Sequence, residues 1–293
     1  MKIKKSAGEM VFDSFNVVFL IFLMVLAIYP FLYVTFASFS DPASMAAHRG
    51  ILLKPVGLSF ASYKAVFDNP NIMQGYKNTI FYLTVGTSIN IFLTSLGAYG
   101  LSRKNVLLKD YIMMGIAFTM LFNGGLIPTY LLVKDLHMID TRWALVIPNA
   151  ISAWNLIIMR TSFQAIPDSL EESARIDGAN DFVILFKIIL PLSTAVIAVM
   201  VLFYGVAHWN AWFNAAIYLR SRERYPLQLI LREILIQNST DSMMTGARAD
   251  DRVPIGETIK YATIIVSTVP ILAIYPLLQK YFMKGVMVGA IKG

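Results

Sequence analysis

Residues Glu171 to Ser193 read EESARIDGANDFVILFKIILPLS, a polar and tightly punctuated stretch set between long apolar runs. Pro167 precedes it, and Ser169 with Glu172 has the S-x-x-E spacing of a capping box, so a short helix is expected to begin at Leu170. Gly178 offers the left-handed turn that closes such a helix, because a residue without Cβ adopts positive φ at no steric cost. Asn180 or Asp181 can cap a second short helix, and Pro191 is expected to break that helix just before the next apolar run. The pattern predicts a helix, turn, helix elbow. Ser173 and Ala174 are small and would let another surface approach the first helix closely. A well-capped loop that merely joins two elements would carry the same marks, so capping alone leaves both readings open.

The surrounding chain decides where the elbow lies. Of 293 residues, 57% are hydrophobic and only 15% charged, a balance that charge-rich soluble domains do not show. A membrane-spanning helix needs about 20 mostly apolar residues. Six stretches qualify, roughly 14–38, 79–101, 110–132, 142–160, 192–219 and 261–279. The expected fold class is an all-α integral membrane protein with six transmembrane helices in a single domain over 1–293. Cysteine is absent, which excludes disulfides, thiolate catalysis and Cys-based metal sites. No three metal ligands fall at a recognisable spacing, and His48 and His137 are expected to be solvated. The formal charge of +7 is spread along the chain and points to no nucleic acid.

The opening MKIKK precedes an apolar run longer than a signal-peptide core, so it reads as a retained first helix with Lys2, Lys4 and Lys5 on the cytoplasmic side. Six spans then return the C-terminus to the cytoplasm. On that topology the loop 161–191, which contains the elbow, is cytoplasmic, and the long loops 39–78 and 220–260 are extracytoplasmic. Basic residues divide almost evenly between the two sides, so orientation needs other support.

The elbow supplies it. Glu172, Ser173 and Ala174, then Gly178, then Ile188, Leu190 and Pro191 resemble the E-A-A-x3-G-x9-I-x-L-P loop of ABC importer permeases, with Ser173 in place of the central alanine. The C-terminal YPLLQKYFMKGVMVGAIKG, Tyr275 to Gly293, resembles the tail of the smaller membrane subunit of maltose-type carbohydrate importers. FNGGLIPTY, Phe122 to Tyr130, is similar to an oligosaccharide and polysaccharide subgroup that includes alginate importers. The resemblance implies a MetI-like fold and a cytoplasmic coupling helix seated in an ATP-binding subunit. It carries the coupling role to Glu172, Ser173, Ala174, Arg175, Asp177, Gly178, Ile188, Leu190 and Pro191. It also implies a second permease subunit, two ATP-binding subunits and an extracytoplasmic solute-binding protein as partners, in a bacterial inner membrane whose lipid surrounds the spans. No G-x4-G-K-[ST] phosphate loop is present, so this chain is expected to bind no cofactor and to be no enzyme, ATP and Mg being used by the partner ATPase.

Polar groups inside spans are costly and tend to face a cavity or another helix. Tyr204, His208 and Trp212 recur at i, i+4 and i+8 of the fifth span, within about 80° of arc. Trp209, Asn210 and Asn214 add polar edges, and Asn149, Ser152 and Asn155 share one side of the fourth span. Aromatic faces with hydrogen-bonding groups suit sugar rings, so Tyr204, His208, Trp209, Trp212, Asn214, Asn149 and Asn155 are candidate substrate-path residues. Aromatic interface belts and ordinary helix-joining amides would look alike. Between the last two spans, Leu227, Ile230, Leu231 and Ile234 follow helical spacing and predict an amphipathic helix, and NSTDSMMTGARADD, Asn238 to Asp251, reads as a flexible segment that, by resemblance, reaches the solute-binding protein. Lys280, Lys284 and Lys292 fit either lipid anchoring or an ATPase contact. A secondary transporter would need coupling carboxylates in its spans, and an intramembrane glycan enzyme would need convergent catalytic groups there. Acidic residues are nearly absent from them.

Overall fold

The computed structural model describes residues 6–236 and 252–290. Lys2, Lys4, Lys5, the segment 238–251 and Lys292 lie outside the described residues. Regular structure among the described residues is helical, apart from one antiparallel bridge between Ser40 and Leu58. The all-α expectation holds. The chain forms two compact units, one from the described parts of Met1–Pro70 and Glu233–Thr268, the other from Asn71–Arg232 and the described part of Val269–Gly293.

In the first unit, α1 (Ala7–Ser38) opens on a capping box, with Ser6 Oγ accepting from the Glu9 N–H at 3.2 Å and Glu9 Oε2 accepting from the Ser6 N–H at 2.7 Å. Most of its large apolar side chains from Met10 to Leu32 are exposed. A helix that is apolar all round and unburied requires lipid or another apolar chain about it. Only its last turns pack inward, where Ala37 joins Met45 and Leu52 beneath Tyr33, Phe36, Val56 and Tyr261. Asp41 caps the short helix α2 (Pro42–Ala47) by accepting from the Ser44 N–H at 3.0 Å, and α3 (Ala61–Asp68) follows. His48, expected in solvent, is half-buried. It is the C-cap of α2, its N–H bonded to the Met45 carbonyl at 3.1 Å, and its Nε2 is enclosed with no partner among the described residues. His137 is exposed, as expected.

The second unit is built on α4 (Pro70–Ser102), a helix of 33 residues with one widened π-type turn at Tyr82–Gly86. Ala98 and Tyr99 of α4 pack in one core with Leu156, Met159, Phe163, Ile184, Ile189, Met200 and Tyr204. The expected third span is two helices, α5 (Lys109–Leu121) and α6 (Leu126–Asp135), bent by 114°. The break falls on Asn123-Gly124-Gly125, where Gly125 has φ +83 and no helix can continue. The expected fourth span is likewise not one helix: α7 (Trp143–Val146) and α8 (Ala153–Gln164) are separated by Ile147–Ser152. Beyond it come α9 (Asp168–Ile176), α10 (Asp181–Leu192), α11 (Thr194–Trp209) and α12 (Phe213–Tyr218). The expected fifth span, 192–219, is thus interrupted at Asn210–Trp212. Among the described residues three helices are long and apolar enough to cross a membrane, Gly8–Ser38, Pro70–Ser102 and Gly256–Ile274, or up to five spans if each bent pair counts as one. The last of the three belongs to α14 (Arg252–Ala290).

The loop after α12 is fastened by the Asp140 carboxylate, which accepts from the Arg220 N–H at 3.0 Å, the Ser221 N–H at 2.9 Å and the Ser221 hydroxyl at 2.5 Å, and pairs with Arg224 at 2.7 Å. Asn78 Nδ2 donates to the carbonyls of Glu223 and Tyr225 at 2.7 and 3.0 Å, and the Tyr82 hydroxyl donates to that of Arg224 at 2.8 Å. Thr79 Oγ1 then accepts the Leu227 N–H at 2.9 Å and starts α13 (Leu227–Ile236), whose Leu227, Ile230 and Ile234 are buried as the amphipathic pattern predicts. Burial would raise the Asp140 carboxyl, but the hydrogen bonds from Ser221, Arg220 and Arg224 outweigh it and hold the group well below the usual carboxylate range. A depressed folded-state value stabilises the fold fully above the unfolded value, near pH 4, and the stabilisation is lost as pH falls below it. Asp140→Asn should therefore lower stability by about 1–3 kcal/mol at pH 7. The gap in thermal midpoint between the variant and the parent chain should narrow as the pH is taken below 4, and a gap unchanged with pH would sink the assignment.

Candidate functional site

Two places in the second unit concentrate polar chemistry. At the elbow, α9 begins at Asp168 with Pro167 as its N-cap and no side-chain cap, so the expected Ser169–Glu172 capping box does not form. Ser169 sits inside the first turn rather than before it. Asp168 pairs instead with Lys104, which holds its carboxyl below the usual range. Gly178 adopts φ +82, as its place after the helix requires, and the Ala179 N–H bonds back to the Ala174 carbonyl at 2.9 Å. Asn180, not Asp181, caps α10 by accepting from the Val183 N–H at 2.9 Å. Pro191 does not end α10. Its missing N–H and its ring against the carbonyl of Lys187 are accommodated by a π-type turn over Leu185–Ile189, and the chain swings by 87° two residues later, at Ser193.

Glu172, Ser173, Ile176 and Asp177 lie on the exposed side of α9, with Ile176 87% exposed. Ala174 packs against the core, Ile188 and Leu190 are half-buried, and Pro191 is exposed. Arg175 is engaged within the chain, donating to Glu171 Oε1 at 2.8 Å and to Asp181 Oδ1 at 2.5 Å. Glu171 also takes an ion pair from Arg103, whose Nη2 donates to the Phe163 carbonyl at 3.0 Å and whose guanidinium lies 5.1 Å from the centre of the Tyr99 ring. These residues border a cleft of about 830 Å³. Arg103 and Glu171 went unnoticed in the sequence. The i, i+4 spacing of Glu171 and Arg175 was the one available signal.

A second cavity, of about 400 Å³, is walled by Asn149, Ser152, Asn155, Tyr204, His208, Trp212 and Asn214 together with Asn210, Phe203 and Phe213. The structure thus gathers every candidate path residue except Trp209, which is buried against Tyr76 at a ring distance of 6.4 Å. Asn90 of α4 organises the wall. Its amide nitrogen donates to the carbonyls of Asn149 and Ala150 at 3.0 and 2.8 Å, and its Oδ1 lies 2.7 Å from His208 Nε2. An amide whose nitrogen is spent on two carbonyls can offer only its oxygen, so His208 carries its proton on Nε2. The Tyr204 hydroxyl accepts the Ser152 N–H at 3.1 Å and shares a 2.7 Å hydrogen bond with Thr94. Asn90 and Thr94 escaped notice because they sit on α4, far from the aromatic cluster in the sequence. None of the lining residues is Asp, Glu, Lys or Arg. Arg232 lies outside the lining, stacked 3.7 Å from the Trp212 ring centre.

Broken, apolar helices closing on a polar, uncharged cavity define a multi-pass membrane transport subunit. No family model matches the chain. It is 42% identical over 282 residues, 96% of this chain and 98% of the relative, to the polygalacturonan/rhamnogalacturonan transport system permease protein YtcP of Bacillus subtilis (strain 168). It is 41% identical over 283 residues, 97% and 95% of the two chains, to protein LplC of the same organism. A chain in the crystal structure of a bacterial ABC transporter involved in the import of the acidic polysaccharide alginate superposes with TM-score 0.90 at 34% identity, covering 96% of this chain and 100% of that one. The chain belongs to the permease subunits of carbohydrate ABC importers, and this sets aside the secondary-transporter and intramembrane-enzyme alternatives.

Gly86 faces the cavity wall from behind: a Cβ there would lie 2.5 Å from His208 Nε2. Gly86→Ala should cost about 1–3 kcal/mol by overpacking. Combined with His208→Ala it should cost clearly less than the sum of the single changes in thermal unfolding. Strict additivity would show that the two positions are not in contact.

Proposed function

We propose that this chain forms half of an ATP-driven import path for an acidic oligosaccharide or polysaccharide. In this reading six spans cross the bacterial inner membrane, with both termini and the elbow 161–191 in the cytoplasm. The fourth span is then the broken α7–α8 segment. The partners are a second permease, two ATP-binding subunits that use ATP and Mg, and an extracytoplasmic solute-binding protein. The observation that carries the coupling role is the surface that α9 leaves open. Glu172, Ser173, Ile176 and Asp177 stand exposed on a short helix whose far end is fixed by the left-handed Gly178, in the spacing of the permease loop it resembles.

The substrate class rests on the relatives, whose names specify polygalacturonan and alginate, both polymers of uronic acids. The cavity supports a sugar, since Trp212 and Tyr204 offer flat faces and Asn149, Asn155, His208 and Asn214 offer hydrogen bonds to hydroxyls. Binding of oligogalacturonate, oligoalginate and neutral oligosaccharides to the purified solute-binding partner, followed by uptake into proteoliposomes, tests it. Uronate binding and uptake are expected, and uptake of neutral sugars alone would overturn the substrate class.

Gly178→Val places a β-branched side chain at φ +82 and should strain the turn. Correctly inserted protein should then lose roughly tenfold in sugar-stimulated ATP hydrolysis, the size of a typical coupling energy. Normal coupled hydrolysis by the inserted variant would refute the role of the elbow.

A further inference from the structure

The charged side chains beneath α9 do more than neutralise one another. Arg103, Glu171, Arg175 and Asp181 alternate in sign and run from the end of α4 across α9 to the start of α10. The first pair is the most enclosed, with the Arg103 and Glu171 side chains each only 13% exposed, whereas Arg175 and Asp181 are largely open. Arg103 is held in turn by the Phe163 carbonyl, the Ser102 hydroxyl and the Tyr99 ring, so it has little freedom to follow Glu171 without taking the end of α4 with it. The Tyr99 hydroxyl adds a weak 3.4 Å contact to Asp181. A pair this enclosed resists separation, because parting the charges leaves both desolvated.

The middle of the same helix reaches the cavity. Asn90 and Thr94 of α4 hold the open backbone at Asn149 and Ala150 and the side chains of His208 and Tyr204. From Asn90 to Arg103 the helix spans about 20 Å. No break interrupts it over Thr87–Ser102. A hydrogen-bonded rod of this length moves as one body, and chains of packed and bonded groups are what carry coupling between distant sites.

We infer that Glu171 and Arg103 form a joint through which displacement of α9 is delivered to α4 and thence to the cavity wall, a route separate from the covalent one through α10 and α11. Both are positioning residues, and the inference rests on α9 being the helix that the ATPase moves. Glu172, one residue on, borders the same cleft but is exposed, whereas Glu171 is partly enclosed and paired with Arg103.

The chain contains no cysteine, so a single Ala207→Cys in the cavity wall reports opening by its rate of reaction with a membrane-impermeant maleimide. The experiment uses the assembled complex of this chain, its second permease and both ATP-binding subunits, without nucleotide and trapped with ATP and vanadate. In the otherwise unchanged chain the labelling rate should differ roughly tenfold between the two states. Glu171→Gln keeps the shape and removes the charge. It should abolish most of that difference while the ATP-binding subunits still co-purify and basal hydrolysis persists. Arg103→Lys, which keeps the charge but loses the fork, should give an intermediate difference. An undiminished difference in Glu171→Gln would overturn the joint. Failure of both variants to assemble would also overturn it, by making the cluster a folding element. Absence of any nucleotide dependence in the parent complex would instead overturn the reading that α9 is the coupled helix.

Discussion

A backbone opened inside an apolar bundle has no water to bond, and the second unit of this protein is arranged around one such opening. Between α7 and α8 the chain leaves helical geometry, freeing the carbonyls of Asn149 and Ala150 and the N–H of Ser152. Each would cost several kcal/mol if left bare in hydrocarbon. Asn90 takes both carbonyls, and the Tyr204 hydroxyl takes the N–H. Their remaining valences then fix their neighbours: Asn90 Oδ1 holds His208, and Tyr204 holds Thr94. The cavity wall follows from this accounting. Polar side chains stand there because open backbone must be answered there, and the same groups are left facing a space that can hold a polar guest.

Three other departures from straight helix have a comparably local cause. Gly125 at φ +83 separates α5 from α6, and Gly178 at φ +82 separates α9 from α10. Pro191 acts less abruptly. Embedded in helical turns, it widens the turn before it and leaves the reversal of direction to Ser193, whose N–H still reaches the Ile189 and Leu190 carbonyls at 3.0 and 3.1 Å. A proline near a helix end thus displaces a bend by two residues without removing the hydrogen bonds around it.

Much of this was legible in the residues. The apolar runs marked every long helix, and the Gly178 turn, a cap at Asn180 or Asp181 and the Leu227–Ile236 periodicity were read in their right places because each rests on local chemistry. The interruptions of the third, fourth and fifth apolar stretches do not show in the apolar runs themselves. Composition and length register hydrophobicity, while a break at Ile147–Ser152 combines a local helix breaker, Pro148, with Asn90 and Tyr204, about 60 and 50 residues away, which satisfy the opened backbone. The capping box at Ser169 failed for the opposite reason: a short local pattern was present, but Lys104 and Arg103 claimed Asp168 and Glu171 and shifted the helix start to Asp168. Side chains were gathered correctly at the cavity even though the fourth stretch was not one helix, since Asn149, Ser152 and Asn155 border the break and its first turn.

On the proposed reading, the chemistry of the cavity suits passage rather than retention. Its lining offers amides, hydroxyls, an imidazole and aromatic faces, with no fixed charge among the lining residues. In a site of low dielectric, an ion pair between wall and guest is worth several times its value in water, and a guest so held leaves slowly. Passage requires attraction strong enough to admit and weak enough to release, the condition that selective pores also meet. Arg232 is consistent with this. Its guanidinium lies over the Trp212 ring rather than in the lining, so on the proposed reading an anionic sugar would meet the charge across an indole ring. On that reading hydrogen bonds would be exchanged one at a time as a chain of sugars advanced, whereas a buried ion pair would have to be broken whole.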